Sequence, residues 1–343
     1  SIKNVLIGYE AGQGQGSGAT TNAQHNVAIG TSPLRDITTG DYNVAIGLNA
    51  YRFLPAANNN IAIGVDAMAS QDNTANGLND AVAIGFEAFK GTGAGPSAPA
   101  GTVAIGSQAL TALTTGTGTT AIGYQSLTAN TIGIFNTAIG YQALKTNVDG
   151  STNTAVGYLA LTTFEADAQD HGENTAVGSK AGTAVSTGTA NTLIGKDSGL
   201  ALTTGDNNVA IGYQALDANT TADDNTAVGY ASLSANTTGA GNVAVGQWAM
   251  RNLNGASYST AVGRKSQAAV TTSYGMNTSV GWLSLANATT GAYNVAIGSG
   301  ALVDNIGGNG NTAVGHYAGY NICGNYNTAL GTSTLNNSIT AAG

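Results

Sequence analysis

Nineteen times along this chain a β-branched residue, a small residue, an aliphatic residue and a glycine follow one another, as in Val27-Ala28-Ile29-Gly30, Thr137-Ala138-Ile139-Gly140 and Val295-Ala296-Ile297-Gly298. From Gly8 and Gly30 to Gly315 and Gly331, 12 of the 18 intervals between the closing glycines are 17 residues. A period so short and even specifies a solenoid or fibre, because one unit cannot bury an apolar face alone and must stack on its neighbours. Function then belongs to a long surface rather than to one pocket.

A length of 343 residues would by itself imply two ordinary domains. The uninterrupted period argues instead for a single array over 1–331, with 332–343 as a C-terminal cap or the start of a following segment. Only 8% of residues are charged, 50 are glycine, and the apolar fraction is carried by Ala, Val, Ile and Leu; such a chain packs thin layers. Four prolines and no three-residue period exclude collagen, and β-branched residues recurring in register argue against disorder. The net charge of -8 comes with no basic run, so nucleic acid is not an expected partner. The single cysteine, Cys323, excludes an internal disulfide and reads as a small buried hydrophobe. No stretch has the roughly 18 apolar residues of a membrane span, and residues 1–25 lack a signal-peptide profile. Starting at Ser1, the chain reads as a processed product or part of a larger polypeptide.

Within one repeat, the positions three and one before the glycine are β-branched or aliphatic and predict a strand. Period-2 alternation sends these two to one face and the intervening Ala, with the glycine, to the other. Ala fills that middle position in 16 of 19 repeats, the exceptions being Leu6, Leu193 and Ser279. The bare Ala/Gly side is expected to be a close-packing surface between chains, so that Leu at Ala138, Ala155 or Ala210 disrupts assembly. A second apolar piece, as in Tyr141-Gln142-Ala143-Leu144 and Tyr213-Gln214-Ala215-Leu216, fits a second strand or a bend. Turns such as Thr38-Thr39-Gly40-Asp41 and Thr203-Thr204-Gly205-Asp206 supply glycine for positive φ. Fifteen repeats place Asn four residues before the glycine, including Asn26, Asn43, Asn136, Asn153, Asn208, Asn242 and Asn311. Asn tolerates left-handed backbone, and stacked amides bond one another. The expected fold is therefore all-β, a parallel β-solenoid or β-roll of about 19 short coils, a rod of roughly 85 to 90 Å at one strand spacing per coil.

The units Asn26-Val27-Ala28-Ile29-Gly30, Asn43-Val44-Ala45-Ile46-Gly47, Asn208-Val209-Ala210-Ile211-Gly212 and Asn294-Val295-Ala296-Ile297-Gly298 resemble the head repeats of trimeric autotransporter adhesins. Longer units such as Asn136-Thr137-Ala138-Ile139-Gly140-Tyr141-Gln142-Ala143-Leu144 are more similar still to repeats of bacteriophage tail fibres. The resemblance covers nearly the whole chain and implies a homotrimer of left-handed parallel β-rolls. Two departures stand out. The autotransporter head repeat is shorter than 17 residues, and the sequence carries neither that family's coiled-coil stalk and anchor nor the self-cleaving chaperone domain found after such repeats in phage fibres. Ending at Ala341-Ala342-Gly343, it fits a shaft from which that domain has been removed.

Four intervals exceed the regular spacing by at least four residues, and insertions in solenoids form surface loops suited to binding. They lie around Gln13 to His25, Ser70 to Asp80, Gly91 to Gly101 with Pro96 and Pro99, and Phe164 to Glu173. The last gathers Glu165, Asp167, Asp170, His171 and Glu173, a set that suits a hard cation or simply a solvated loop. The residue after the glycine is often a ring: Tyr9, Phe86, Tyr124, Tyr141, Tyr158, Tyr213, Tyr230, Trp282 and His316. Such rings either grip sugars or pack on one another across coils. Trp248 and Trp282 have no repeat partners.

Polysaccharide-cleaving solenoids need paired carboxylates at one groove, and the acids here are scattered in turns. His25, His171 and His316 form no recognisable triad with Ser and Asp. An ice-binding solenoid would use flat Thr ladders; Thr137, Thr154, Thr175 and Thr192 repeat in register, but Val27, Val44, Val209 and Val243 replace them, which reads as an inward position. The expectation is a non-enzymatic, extracellular fibre shaft or adhesin of a virion or bacterial surface, without cofactor or membrane insertion. It would self-associate as a homotrimer and meet a cell-surface polysaccharide or protein receptor. The alternative is a monomeric ice-binding or glycan-processing β-solenoid.

Overall fold

The computed structural model describes residues 3–14, 22–69, 78–91, 100–166, 171–269, 275–322 and 324–336. Cys323 lies outside them. The chain falls into two compact units, Ser1–Asn174 and Thr175–Gly343. In the first, nine three-residue strands run from β1 (Val5–Ile7) to β9 (Thr154–Val156). In the second, ten run from β10 (Thr175–Val177) to β19 (Thr328–Leu330). Every strand is the triplet that precedes the motif glycine, with Leu6 and Leu193 standing where the other strands have a small residue. Among the described residues there is no helix, hence none long and apolar enough to cross a membrane.

Within each unit successive strands pair in parallel and without slippage. Thr120 of β7 (Thr120–Ile122) lies beside Thr137 of β8 (Thr137–Ile139), and Thr137 beside Thr154 of β9. The second unit repeats the register, Thr192 beside Val209 beside Thr226. Each unit is a parallel β-solenoid of stacked coils.

The two faces of the strand are the reverse of the expectation. Ala138, Ala155 and Ala210 are fully buried inside their own coil, while Thr137 is partly exposed and Ile139 is 37% exposed. Val27, Val44, Val209 and Val243 are partly exposed too, so the position that alternates between Thr and Val points outward. The Ala side is thus the inside of the coil rather than a contact between chains. The reason is width: a coil of 17 residues leaves room opposite the strand for a methyl group and a leucine, and the bulkier residues are turned out.

The second apolar piece is a turn, with no second strand. In the coil of β8, Gln142 and Leu144 have φ of +53° and +49°. Alternating right- and left-handed residues break period-2 geometry, which lets the consecutive residues Ala143 and Leu144 both point inward and be buried. Backbone pairing continues through the turn: the Gln142 amide donates to the Tyr124 carbonyl at 2.9 Å and the Leu144 amide to the Ala160 carbonyl at 3.1 Å.

Two glycine roles separate. The motif glycine Gly212 has φ +136°, and a Cβ there would sit 2.6 Å from the Gly229 carbonyl oxygen of the next coil, so both conformation and space demand glycine. The turn glycines Gly40 and Gly205 lack positive φ; a side chain on either would run into the carbonyl of Ala57 or Ala222.

The asparagine four before the motif glycine is buried, and its amide bridges coils. Asn136 donates from Nδ2 to the Gly150 carbonyl at 2.7 Å, and its Oδ1 accepts from the Asn153 backbone amide at 2.9 Å. The Asn225 amide likewise donates to Asn208 Oδ1 at 3.0 Å. Left-handed backbone falls one residue earlier than expected, at Tyr42, Phe135 and Asn207. A second buried row, Asn130, Asn147, Asn219 and Asn236, closes the turn three residues on, as from Asn147 to the Gly150 carbonyl at 2.9 Å.

Candidate functional site

Register stacking turns every outward position of the repeat into a ladder. One position after the glycine, Tyr124 stacks on Tyr141 with centroids 5.3 Å apart, and Tyr141 on Tyr158 at 5.5 Å. In the second unit Tyr213 stacks on Tyr230 at 5.6 Å, and Tyr230 meets Trp248 edge-on at 5.8 Å. All five tyrosines and Trp282 remain exposed, from 40% at Tyr213 to 49% at Tyr158. The two readings of these rings therefore describe one arrangement. A ring held between two others, as Tyr141 is, has both faces occupied and offers its edge and hydroxyl; the ends of a stack offer a face. Trp282 has no stacked ring beside it among the described residues.

Beside the tyrosines runs a polar ladder. Gln125 donates to Gln108 and Gln142 to Gln125, each at 2.9 Å. Hydroxyl and amide rungs at a fixed spacing are a repetitive hydrogen-bonding surface, suited to a repetitive ligand.

Another ring position escaped the sequence reading. Five residues before the glycine, Tyr42, Phe135, Tyr258, Tyr293 and Tyr326 are more than half exposed, and His25 stacks on Tyr42 at 4.8 Å with planes 2° apart. Phe135, Tyr258 and Tyr326 each lie over a glycine of the preceding coil, where a Cβ at Gly118, Gly241 or Gly310 would touch the ring. The signal was present as glycine-to-aromatic pairs one period apart, Gly118 to Phe135 and Gly241 to Tyr258.

Of the acidic loop, Glu165, His171 and Glu173 are described, and Asp167 and Asp170 lie outside the described residues. Glu165 is partly buried and accepts a hydrogen bond from the Val148 amide at 2.9 Å. Burial first, and the neighbouring Asp149 second to that amide's opposing pull, hold its carboxyl above the usual range. His171 and Glu173 are exposed. No group of three metal-type ligands forms among the described residues. The other three insertions fall largely on 15–21, 70–77 and 92–99, outside the described residues, as do Pro96 and Pro99.

No protein-family model matches this chain, and no curated protein matches it.

Proposed function

We propose that this chain is the shaft of a non-enzymatic homotrimeric fibre or adhesin, wound as a left-handed β-roll and displayed outside the cell on a virion or bacterial surface. There it spans distance and presents its outer ladders and loops to a glycan or receptor. One observation carries the reading. Ile139, Val177, Ile194, Ile211, Val262, Val280, Ile297 and Val314 are each 36–40% exposed and recur at one position of the coil, flanked by partly exposed Val or Thr. In the second unit, Val177 to Val314 form an aliphatic strip along the stacked strands, and a strip of this kind marks an interaction surface. Because the strip is the same in every coil, a second and third copy in register present it with matching apolar rungs, and cyclic symmetry closes the assembly.

The test is native mass by light scattering, repeated after mild SDS without boiling. Three chains surviving detergent is the expected result. A stable monomer would remove the fibre reading and favour the second one, ice binding, which the outward placement of Thr120, Thr137 and Thr154 supports. Thermal hysteresis distinguishes the two, a fibre shaft giving none.

A further inference from the structure

Three of the chain's ten cations gather on one ring. Around Trp248 the Lys265 Nζ lies 5.2 Å, the Arg264 guanidinium 5.5 Å and the Arg251 guanidinium 5.6 Å from the ring centroid. The repeat explains the convergence. Trp248 and Lys265 occupy the same position of successive coils, two after the glycine, with φ of +59° at each. The Lys265 amide donates to the Gln247 carbonyl at 3.0 Å, which fixes one coil above the other. Arg251 arrives from the end of the Trp248 turn, and Arg264 is steadied by Gln247 Oε1 at 3.0 Å.

These charges have no carboxylate to answer them. Between Asp224 and Asp304 the sequence contains no Asp or Glu, so an acidic chain carries here a stretch with three positive charges and no negative ones. Among the described residues none of the three cations forms an ion pair, whereas Lys90 meets Glu87 and Asp66, and Lys196 meets Asp197. Repulsion between cations around one indole is tolerated only at some cost, which cation–π attraction offsets in part.

Beside the ring lies an open groove of about 220 Å³, lined by Trp248, Arg251, Asn252, Lys265, Leu283 and Asn287. It combines an aromatic wall, amide groups and cations. Asp304, the carboxylate following this stretch, accepts from Asn287 at 2.7 Å.

We propose that this groove binds a carboxylate-bearing sugar of an acidic polysaccharide, the sugar ring against Trp248 and its carboxylate between Arg251 and Lys265, with Arg264 adding positive charge at the same ring. An indole face with a planar guanidinium suits a pyranose carrying a carboxylate. Nucleic acid is a poorer match, because its binding draws on many phosphate contacts along a basic track, and here three cations gather on a single ring of a chain with net charge -8. The site names the ligand class for the adhesin reading and rests on that reading for its biological setting; its chemistry stands on this unit alone.

The experiment uses the full chain with Trp282→Phe, leaving Trp248 the only indole. Fluorescence is titrated with oligogalacturonate, oligosialate, methyl-esterified oligogalacturonate and oligodeoxythymidylate, and native mass is measured on the same samples. Saturable quenching by at least one of the two acidic glycans is expected, at least tenfold weaker for the methyl ester. In the chain retaining Trp282, calorimetry should show Trp248→Ala weakening binding at least tenfold and Arg264→Gln or Lys265→Gln about fivefold each. Binding of neither acidic glycan, equal binding of the ester, or tighter binding of the oligonucleotide would overturn the proposal. A monomeric mass with glycan binding intact would instead remove the fibre reading and leave the site standing.

Discussion

The coils of β7 to β9 and those around Trp248 share a backbone and differ in how they fill it. In the first region like follows like: Tyr124, Tyr141 and Tyr158 outside, Gln108, Gln125 and Gln142 beside them, and Leu110, Leu127, Leu144 and Leu161 in the core. In the second these three ladders break, while the strand ladder Val245, Val262 and Val280 runs on. Trp248 gives way to Lys265 and then Leu283, and the buried Met250 to Gln267 and then Leu285. Gln267 is fully buried; its Nε2 donates to Ser279 Oγ at 2.9 Å and to the Thr260 carbonyl at 3.0 Å, but its Oε1 has no partner. Regular ladders make each coil like the next, while broken ones make one place unlike the rest. Local departures from a fold's own rules concentrate where a chain does something besides fold.

The sharpest break of the regular region is Gly140→Ala. The new methyl would meet the Gly157 carbonyl at φ +139°, and strain plus overpacking should cost about 3 kcal/mol or more in denaturant unfolding. A loss under about 1 kcal/mol would mean that the coils are not held backbone to backbone. Ala138→Leu comes next, at about 1–3 kcal/mol by thermal melting. Its outward neighbour supplies the contrast: Ile139→Ser should change chain stability by less than about 1 kcal/mol yet reduce the native mass in light scattering. If Ala138→Leu proves harmless, the inside of the coil has been misassigned.

Two smaller changes bear on the irregular region and its counterpart. Gln267→Leu with Ser279→Ala restores the apolar ladder and removes an unsatisfied buried oxygen, and a gain of about 1–2 kcal/mol is expected in urea unfolding. Destabilisation would show that the polar core is fully satisfied. Tyr141→Ala should have the least effect, about 0.5–1 kcal/mol, from lost ring stacking; a larger loss would make the tyrosines structural pillars.

The solenoid was legible because the period is written nineteen times. Which face of the strand lies inside was not legible, since alternation separates Ala138 from Thr137 and Ile139 without saying which side has room. Coil width decides that, and width depends on the left-handed turn at Gln142 and Leu144, residue types with no preference for such φ. The Trp248 site was half legible. The run without acid from Asp224 to Asp304 stands in the sequence, but Arg251 and Arg264 converge only once the coils are stacked.

In-register stacking also bears on how such a gene can change. Thr192 sits on Val209 as Val209 sits on Thr226, so the surface offered to each incoming coil is the one just covered. Recombination between tandem copies that removes or duplicates a whole period inside a unit therefore leaves no unmatched seam. An insertion that is not a whole period has to leave the stack as a loop. Length and loop content can thus drift independently, the one by copy number and the other by sequence.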